Sequence, residues 1–343
     1  MTQTEQEFFK EKCILITGGT GMIGRALGKS LSKLGAHVTT ASLDLDKPSW
    51  AEDHIQTDLT NQENAESLIL AADDKFQTHT QIVFHLGGMK ANPKVTLEKP
   101  ATFFTKLVRM NTNVLEACRL ARIPHVVYTS SIGAYQESTE DLIETKAYEG
   151  TPMDSAPGLA KRMAEYQIQF YKKEYGLENF SILRLTNIFG SYDIFSGANS
   201  MFIPSLMTKV KQYREDNKPI EFWGEGTAIR DFLYVDDCVE GIMKAAIYGT
   251  KGEVVNIGSG SGTSVKEMIK LMKTVIGFEY TFNNDPRYNG APRRVLNIEK
   301  AKELLKFTGA SQPYRIHLRD TWNWFLHHKE QERVDYFQEK TYA

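Results

Sequence analysis

The strongest constraint on the fold is an apolar run near the N-terminus that breaks into regularly spaced glycines. Residues 13–17 read Cys-Ile-Leu-Ile-Thr, and Gly18, Gly21 and Gly24 follow with the spacing G-x-x-G-x-x-G. The pattern is typical of a strand, a tight turn and a helix start, in which glycines permit the turn, close approach to a pyrophosphate, and helix packing. The helix N-terminus would offer N–H groups and a positive dipole end to an anion. The cofactor-binding residues predicted in this stretch are Gly18, Thr20, Gly21, Met22 and Ile23.

Composition narrows the range of functions. The 343 residues are 41% hydrophobic and carry a formal net charge of -2, so the chain can bury a large core and has no global basic field for nucleic acid. Residues 1–12 are polar, and the apolar run after them is too short for a signal peptide or a membrane span. The three cysteines, Cys13, Cys118 and Cys238, lack metal-ligand spacing. We expect a cytoplasmic protein with reduced cysteines, no metal, and no nucleic-acid or membrane partner.

Strand and helix signals alternate along the first half of the chain and predict an α/β fold with a doubly wound Rossmann parallel sheet. A helix over 26–34 ends at Gly35, and a second strand covers 36–42. The acidic residue that binds the adenosine ribose is expected near Ser42, and Asp44 follows two residues later. No arginine follows that would bind a 2′-phosphate, and Asp44 would repel one. The predicted cofactor is therefore NAD(P), with NAD slightly favoured.

Two later strand ends add residues to the predicted cofactor site. A short strand over 55–60 contains an acid, Asp58, next to Leu59. Asp58 is predicted to face adenine, and the alternative is that it caps the following helix. The next apolar strand runs into Leu86 and Gly87, which places small residues where a dinucleotide would pass.

The middle of the chain supplies one more strand end and two long helices. The strand 125–131 carries hydroxyls to its carboxyl end, at Ser131, where open α/β sheets bind ligands. Apolar residues recur at three- and four-residue steps over helix 101–122, and a second such helix covers 157–175. From about residue 201 the pattern changes and a smaller domain begins.

The predicted organisation has two parts. A dinucleotide-binding Rossmann domain covers 10–200, with returning segments 229–260. A smaller C-terminal α/β domain consists of 201–228 and 261–330.

Several stretches in one order resemble the extended short-chain dehydrogenase/reductase family, also called the NAD-dependent epimerase/dehydratase family, and within it the GDP-fucose synthases. The matching stretches are 17–24, 83–86, 130–131 with Tyr135, 160–162, 184–190, 223–227 and 229–237. They extend over nearly the whole chain. The resemblance implies a nucleotide-sugar substrate and a homodimer formed through the helices near 101–122 and 157–175.

The family resemblance also implies catalytic residues. In the family, a lysine holds the nicotinamide ribose and lowers the pKa of a tyrosine four residues earlier, which takes a proton from a sugar hydroxyl as hydride leaves. Ser131 and Lys161 occupy the matching catalytic positions, and Lys161 is also implied to bind the cofactor. Pro157 stands in place of the tyrosine. Locally it suits the first position of a helix capped by Ser155 or Asp154.

Other acid/base residues of the family are replaced as well. Gly133 and Met201 stand where GDP-fucose synthases have a cysteine and a histidine, and neither can move a proton. The Asp-Glu pair of the dehydratases is also absent after Ser131. The remaining candidates for the base are Tyr148, Asp154, Tyr192, Lys90 and Lys94.

The second half keeps the residues that the resemblance implies for substrate. Guanidinium groups suit a nucleotide diphosphate because of their fork geometry. The implied substrate-binding residues are Asn187, Lys209, Trp223, Arg230 and Arg293. The sequence therefore predicts an NAD(P)-dependent oxidoreductase or epimerase for a nucleotide-activated, GDP-linked sugar, with a nonstandard acid/base. The alternative is a regulatory protein that binds both ligands without turnover.

Overall fold

The computed structural model describes residues 1–90, 93–197, 199–285 and 290–328, without the side chains at positions 93, 94, 223 and 284. The strands are β1 Cys13–Thr17, β2 His37–Ser42, β3 Asp53–Gln56, β4 Ile82–His85, β5 His125–Ser131, β6 Phe180–Leu185, β7 Asn187–Phe189, β8 Ile220–Trp223, β9 Ile229–Arg230, β10 Phe232–Tyr234, β11 Val254–Ile257, β12 Thr263–Ser264, β13 Phe282–Asp285 and β14 Arg293–Arg294. The helices are α1 Gln3–Glu7, α2 Met22–Lys33, α3 Gln62–Phe76, α4 Pro93–Glu98, α5 Pro100–Leu120, α6 Ser155–Tyr175, α7 Phe202–Asp216, α8 Val235–Tyr248, α9 Val265–Ile276, α10 Glu299–Leu305 and α11 Tyr314–His327.

Seven strands form a central sheet in the order β11-β6-β5-β4-β1-β2-β3, and every neighbouring pair is parallel. The order reverses between β1 and β4, as in a doubly wound sheet, which confirms the predicted fold class. Thr17 and His85 are register partners at the ends of these two strands. The segments that follow them therefore flank the switch point, where ligands bind in such sheets.

Alternate residues of the central strands pack into two cores on opposite faces of the sheet. In β1, Ile14 and Ile16 join one core together with Leu27 of α2. Leu15 joins the other core together with Leu115 of α5. Successive side chains of a strand point to opposite faces, and helices cover both faces of a parallel sheet, so the strands are apolar throughout. Full burial of each such side chain contributes about 1.5–3 kcal/mol.

The strand predicted to reach residue 60 ends earlier, at Gln56, and this corrects the surroundings of Asp58. The Asp58 carboxylate accepts hydrogen bonds from the Thr60 amide at 3.0 Å and the Thr60 hydroxyl at 2.8 Å. The cap of α3 is instead Asn61, whose side chain accepts the Asn64 amide. Asp58 therefore lies in a turn between the strand and the helix, and it is neither a strand end nor the helix cap.

The start of α6 differs from the prediction by two residues. The helix begins at Ser155 with Asp154 as its N-cap, so Pro157 is its third residue rather than its first. The Asp154 side chain makes no capping hydrogen bond. Proline is tolerated here because the N–H groups of a first turn have no intrahelical partner to lose.

The remaining strands form small sheets beside the central one. β7 pairs with β10, β9 pairs with β12 and β14, and β8 pairs with β13. β11 returns to the central sheet and pairs with β6. No helix in the described part of the chain is long and apolar enough to cross a membrane.

Candidate functional site

The turn after β1 requires glycine at two of its three spaced positions, Gly18 and Gly24. Gly18 has a φ of +72°, and a Cβ there would lie 2.9 Å from the backbone nitrogen of Gly87. The Gly21 amide donates to the Gly18 carbonyl oxygen at 3.0 Å. A Cβ on Gly24 would collide with that same carbonyl oxygen, so α2 packs directly on the turn. The turn is therefore compact, and the glycine segment after β4 lies against it.

The first turn of α2 forms a cradle for an anion. Its N-cap, Gly21, has no side chain to satisfy the amides of Met22 and Ile23, which lack partners inside a helix. Unpaired amides and the positive dipole end make a helix N-terminus a binding site for phosphate. These residues fit the diphosphate of a dinucleotide, since Gly21 leaves the first amides of α2 without a side-chain partner.

Acidic and hydroxyl groups surround the outer side of the turn. The hydroxyl of Thr20 donates to the Asp44 carboxylate at 2.6 Å, and the Asp44 amide donates to the Ser42 hydroxyl at 3.1 Å. Thus the structure brings three predicted cofactor residues together. A fourth, Leu59, is buried next to Asp58, and its carbonyl oxygen accepts from the Asn113 side chain at 3.1 Å.

A chain of buried hydrogen bonds crosses the switch point. The Gly87 amide donates to the Thr17 hydroxyl at 3.4 Å, and Thr17 contacts Nδ1 of His85 at 2.7 Å. Nε2 of His85 lies 3.1 Å from the side-chain oxygen of Asn111, which can only accept, so Nε2 carries the proton and Nδ1 accepts from Thr17. Burial lowers the pKa of His85 to about 3, and its ring is therefore neutral. The Asn111 amide continues the chain to the Tyr128 hydroxyl at 3.2 Å.

Lys161 lies at the far end of this chain. Its ammonium donates to the Thr129 carbonyl oxygen at 2.7 Å, and it lies 3.8 Å from the position of a Cβ on Gly88. Its backbone carbonyl oxygen accepts from the Tyr128 hydroxyl at 3.5 Å. Desolvation by burial lowers the pKa of Lys161 to about 8. The ammonium therefore lies at the carboxyl ends of β4 and β5, beside the segment Leu86 to Gly88, which flanks the switch point.

Ser131 ends β5 on the same edge of the sheet. Its hydroxyl accepts the Gly133 amide at 3.1 Å and begins a 3-10 turn over Ile132–Ala134. The preceding Ser130 donates to the buried carboxylate of Glu165, which also binds Arg184 at 2.6 Å. This buried pair fixes the end of β5 against α6.

The five candidate bases lie in different surroundings. The Tyr148 hydroxyl accepts from Gln169 at 2.7 Å along α6, and burial raises its pKa far above the usual range. Tyr192 packs 5.0 Å from the ring of Trp324, centroid to centroid. Lys90 forms an ion pair with Asp193 at 2.6 Å. The side chain of Lys94 lies outside the described residues.

Asp154, the fifth candidate, is in direct contact with the end of β5. A Cβ built on Gly133 would coincide with its carboxylate. Its other oxygen accepts from Arg294 at 2.8 Å. Asp154 therefore contacts the segment that follows Ser131.

Arginines from two adjacent strands surround this position. Arg230 donates to the Ala291 carbonyl oxygen at 2.7 Å, and burial, together with neighbouring Arg294, lowers its pKa to about 10. Arg293 is held by Asp141 at 2.6 Å. A buried guanidinium gains from a negative ligand because burial penalises an unpaired charge.

The other implied substrate residues lie further along this side. The Asn187 side chain donates to the Asp231 carbonyl oxygen at 2.8 Å, and Lys209 donates to the Glu221 carbonyl oxygen at 2.7 Å. The backbone of Trp223 ends β8, while its side chain lies outside the described residues.

Sequence reasoning missed the buried polar residues that support the site. His85, Asn111 and Tyr128 were not predicted to matter, and neither was the pair of Glu165 and Arg184. The available signal was polarity at core positions: each is a polar or charged side chain within an apolar strand or on the inner face of a helix. Buried polar groups require partners, so such residues indicate a network without naming its members.

The doubly wound sheet, the anion cradle and the glycines at the switch point define a dinucleotide-binding protein of the Rossmann class. More narrowly, the chain belongs to the NAD dependent epimerase/dehydratase family, whose profile matches residues 14–258. This confirms the family expected from the motifs.

Relatives of known activity cover most of the chain. A GDP-L-fucose synthase from Sinorhizobium fredii is 29% identical over 296 residues, which are 84% of this chain and 88% of the relative. A dTDP-4-dehydro-6-deoxy-D-allose reductase from Streptomyces bikiniensis is 26% identical over 329 residues, 92% and 97% of the two chains. The structure of UDP-glucose 4-epimerase with UDP-glucose from Thermotoga maritima matches with a TM-score of 0.78 at 25% identity, covering 91% of this chain and 98% of the other.

Proposed function

We propose that this protein is an NAD(P)-dependent oxidoreductase or epimerase that acts on a nucleotide-activated, GDP-linked sugar with a nonstandard acid/base. The observation that carries the proposal is the position of Lys161, whose ammonium faces the glycine segment after β4 and donates to Thr129 at the end of β5. Nicotinamide supplies hydride chemistry when bound. Gly18, Gly21 and the first turn of α2 would hold its diphosphate, and Lys161 its ribose.

Arg230 is proposed to bind the substrate diphosphate, because within the described residues its half-buried guanidinium donates to two carbonyl oxygens, those of Ile229 and Ala291, which carry no compensating charge. Asn187 and Lys209 are proposed to line the same side. Arg293 is already paired with Asp141 at the rim, so we assign it no part in binding. The choice of GDP rests on the similarity to GDP-L-fucose synthases; the dTDP and UDP sugars named for other relatives are the competing substrates.

The proposed cofactor preference for NAD rests on the acidic side of the turn. The Asp44 carboxylate accepts from Thr20 beside the predicted diphosphate cradle. A carboxylate there favours ribose hydroxyls and repels a 2′-phosphate. Tighter binding of NADPH than of NADH in a fluorescence titration would contradict this preference.

The test of the function is turnover with a panel of GDP-, UDP- and dTDP-sugars, followed by the absorbance of reduced nicotinamide. Lys161→Met is expected to lower kcat by about 100-fold or more, since positioned acid/base groups contribute on that scale. Lys172→Met is the matched control, because Lys172 lies on the same helix and donates to the Lys251 carbonyl oxygen away from the switch point. Unchanged turnover in Lys161→Met would refute the role of this lysine.

The second candidate function is a binding protein without turnover. Pro157 favours it, because proline has no proton to exchange where the family has a tyrosine. Such a protein would show thermal stabilisation by a dinucleotide and a nucleotide sugar, with no reduction of the cofactor by any sugar in the panel.

We further propose a homodimer formed through α5 and α6. Leu159, Met163 and Phe170 of α6 are 42%, 42% and 59% exposed, and they lie at helical spacing on one stripe. A second copy of the chain is the proposed occupant of this stripe, since the family resemblance implies pairing through these helices. Sedimentation as a monomer at micromolar concentration would contradict the proposal.

A reducing, cytoplasmic location belongs to the same proposal. Cys13, Cys118 and Cys238 are buried free thiols. Burial raises the pKa of Cys118 to about 12, which keeps that thiol protonated and unreactive. Labelling of all three thiols after unfolding without a reductant is the expected result.

A further inference from the structure

Asp154 places a carboxylate where the site lacks its usual proton carrier. It is the N-cap of α6, one turn before Pro157 and two turns before Lys161, so all three residues lie on one side of the helix start. The Asp154 amide donates to the Gly133 carbonyl oxygen at 3.1 Å, and its carboxylate fills the space that a side chain on Gly133 would take. Gly133 in turn donates its amide to the Ser131 hydroxyl. The carboxylate therefore lies against Gly133, two residues after Ser131, where β5 ends at the ligand-binding edge of the sheet.

Pro157 contributes to this position. The side chain of an N-cap residue ordinarily accepts the amide of the second or third helical residue. Pro157 is the third residue of α6 and has no amide hydrogen, which removes one of these two donors. Asp154 makes no capping bond, and its carboxylate is left for partners outside the helix.

Two further features describe the surroundings of this carboxylate. The guanidinium of Arg294 binds one carboxylate oxygen at 2.8 Å. Asp154 also lies at the N-terminus of α6, which is the positive end of the helix dipole. The Asp154 side chain is nevertheless 38% exposed, whereas that of Arg294 is 19% exposed. One oxygen is therefore anchored by Arg294, while the other lies against Gly133.

We propose that Asp154 is the acid/base of this site. The inference rests on the proposed function. In the oxidative direction, the Asp154 carboxylate accepts the proton of a sugar hydroxyl; oxidised nicotinamide, when bound, would supply the acceptor for the hydride that leaves the same carbon. The alcohol becomes a ketone, and Asp154 becomes a carboxylic acid. In the reverse direction this acid returns the proton to the carbonyl oxygen as hydride adds to carbon.

The deciding variant is Asp154→Asn, which keeps the size of the side chain and removes its basicity. We expect kcat to fall by about 100-fold or more, while the Kd values for NADH and for the nucleotide sugar change by less than about threefold. Asp141→Asn is the matched control: Asp141 pairs with Arg293 as Asp154 pairs with the adjacent Arg294, but it does not contact Gly133. That control should keep kcat within about threefold of the original chain.

A second substitution separates proton transfer from a structural role. Adding Pro157→Tyr to Asp154→Asn supplies a proton carrier at the family position, and we expect it to restore at least about tenfold of the lost kcat. Two outcomes would overturn the inference and leave the proposed function standing. In the first, Asp154→Asn leaves kcat unchanged. In the second, Asp154→Asn lowers ligand binding and the melting temperature in parallel with kcat, and Pro157→Tyr does not restore kcat. An original chain that turns over no sugar in the panel would overturn both.

Discussion

Replacing Glu165 with glutamine should destabilise the protein by about 3–5 kcal/mol, the cost of removing one partner of a buried ion pair. The carboxylate of Glu165 is fully buried and accepts from Arg184 at 2.9 and 2.6 Å, and from the hydroxyl of Ser130. Arg184 is equally buried. In the variant, the guanidinium of Arg184 loses the carboxylate that pairs with it. Its remaining close contacts include the Ala147 carbonyl oxygen at 2.8 Å and the ring of Tyr135 at 4.1 Å, which are both neutral.

Two comparisons isolate the buried charge as the cause. Glu165→Met combined with Arg184→Met removes both charges, so it should cost less than about 2 kcal/mol, mainly from the hydrogen bonds lost by Ser130 and Ala147. Glu253→Gln breaks a pair with Lys300 in which the glutamate is 58% exposed, and it should cost below about 1 kcal/mol.

The assay is urea unfolding monitored by circular dichroism. Free energies of unfolding are compared between variants that have the same m-value. A loss below about 1 kcal/mol for Glu165→Gln, or a double variant as unstable as the single one, would refute the reasoning.

Two further predictions concern the site. Burial lowers the pKa of His85 from 6.5 to about 3, so its stabilising contribution is complete above pH 6.5 and is lost as the pH falls towards 3. The free energy of unfolding should therefore fall over that range by about 5 kcal/mol more than it does in His85→Gln, and equal slopes would contradict this. Gly18→Ala should weaken NADH binding by about tenfold or more, because its Cβ would meet the Gly87 backbone at 2.9 Å. Gly176 is the control position: it also has a positive φ, +68°, but a Cβ there would meet nothing within 4 Å. Gly176→Ala should therefore cost about 1 kcal/mol of stability and leave NADH binding unchanged. Equal effects of the two substitutions on NADH binding would contradict the role given to the contact between position 18 and Gly87.

Local signals were sufficient for the elements that form the cofactor site. The spaced glycines, the apolar run before them and the strand over 125–131 each predict their structure from neighbouring residues alone. The error at Asp58 has a non-local cause. β3 is an edge strand whose last pair joins Gln56 to Ser42, the final residue of β2, so the partner strand decides where β3 ends. Residues 55–60 by themselves do not indicate that β3 ends at Gln56.

The partners of buried polar groups could not be predicted from the sequence, because they too are distant along the chain. Asn111 lies on the inner face of α5, and its partners His85 and Tyr128 come from two different strands. A polar residue at a core position indicates that a partner exists, because an unpaired group there is costly. Which side chain it is depends on strand order, and strand order becomes known only when the sheet is assembled.

Pro157, which stands where the family has a tyrosine, shows at one position what the sequence can predict and what only the folded chain reveals. In the sequence it removes the proton carrier of the family and indicates the start of a helix. In the folded chain the same proline removes a capping donor from the N-terminus of α6, and Gly133 leaves the space into which the Asp154 carboxylate extends. Any side chain at position 133 would compete with that carboxylate for space, so the small residue at 133, the proline at 157 and the acid at 154 belong to one arrangement. The residues that suggest a loss of chemistry in the sequence therefore make room for the carboxylate that we propose as the proton carrier.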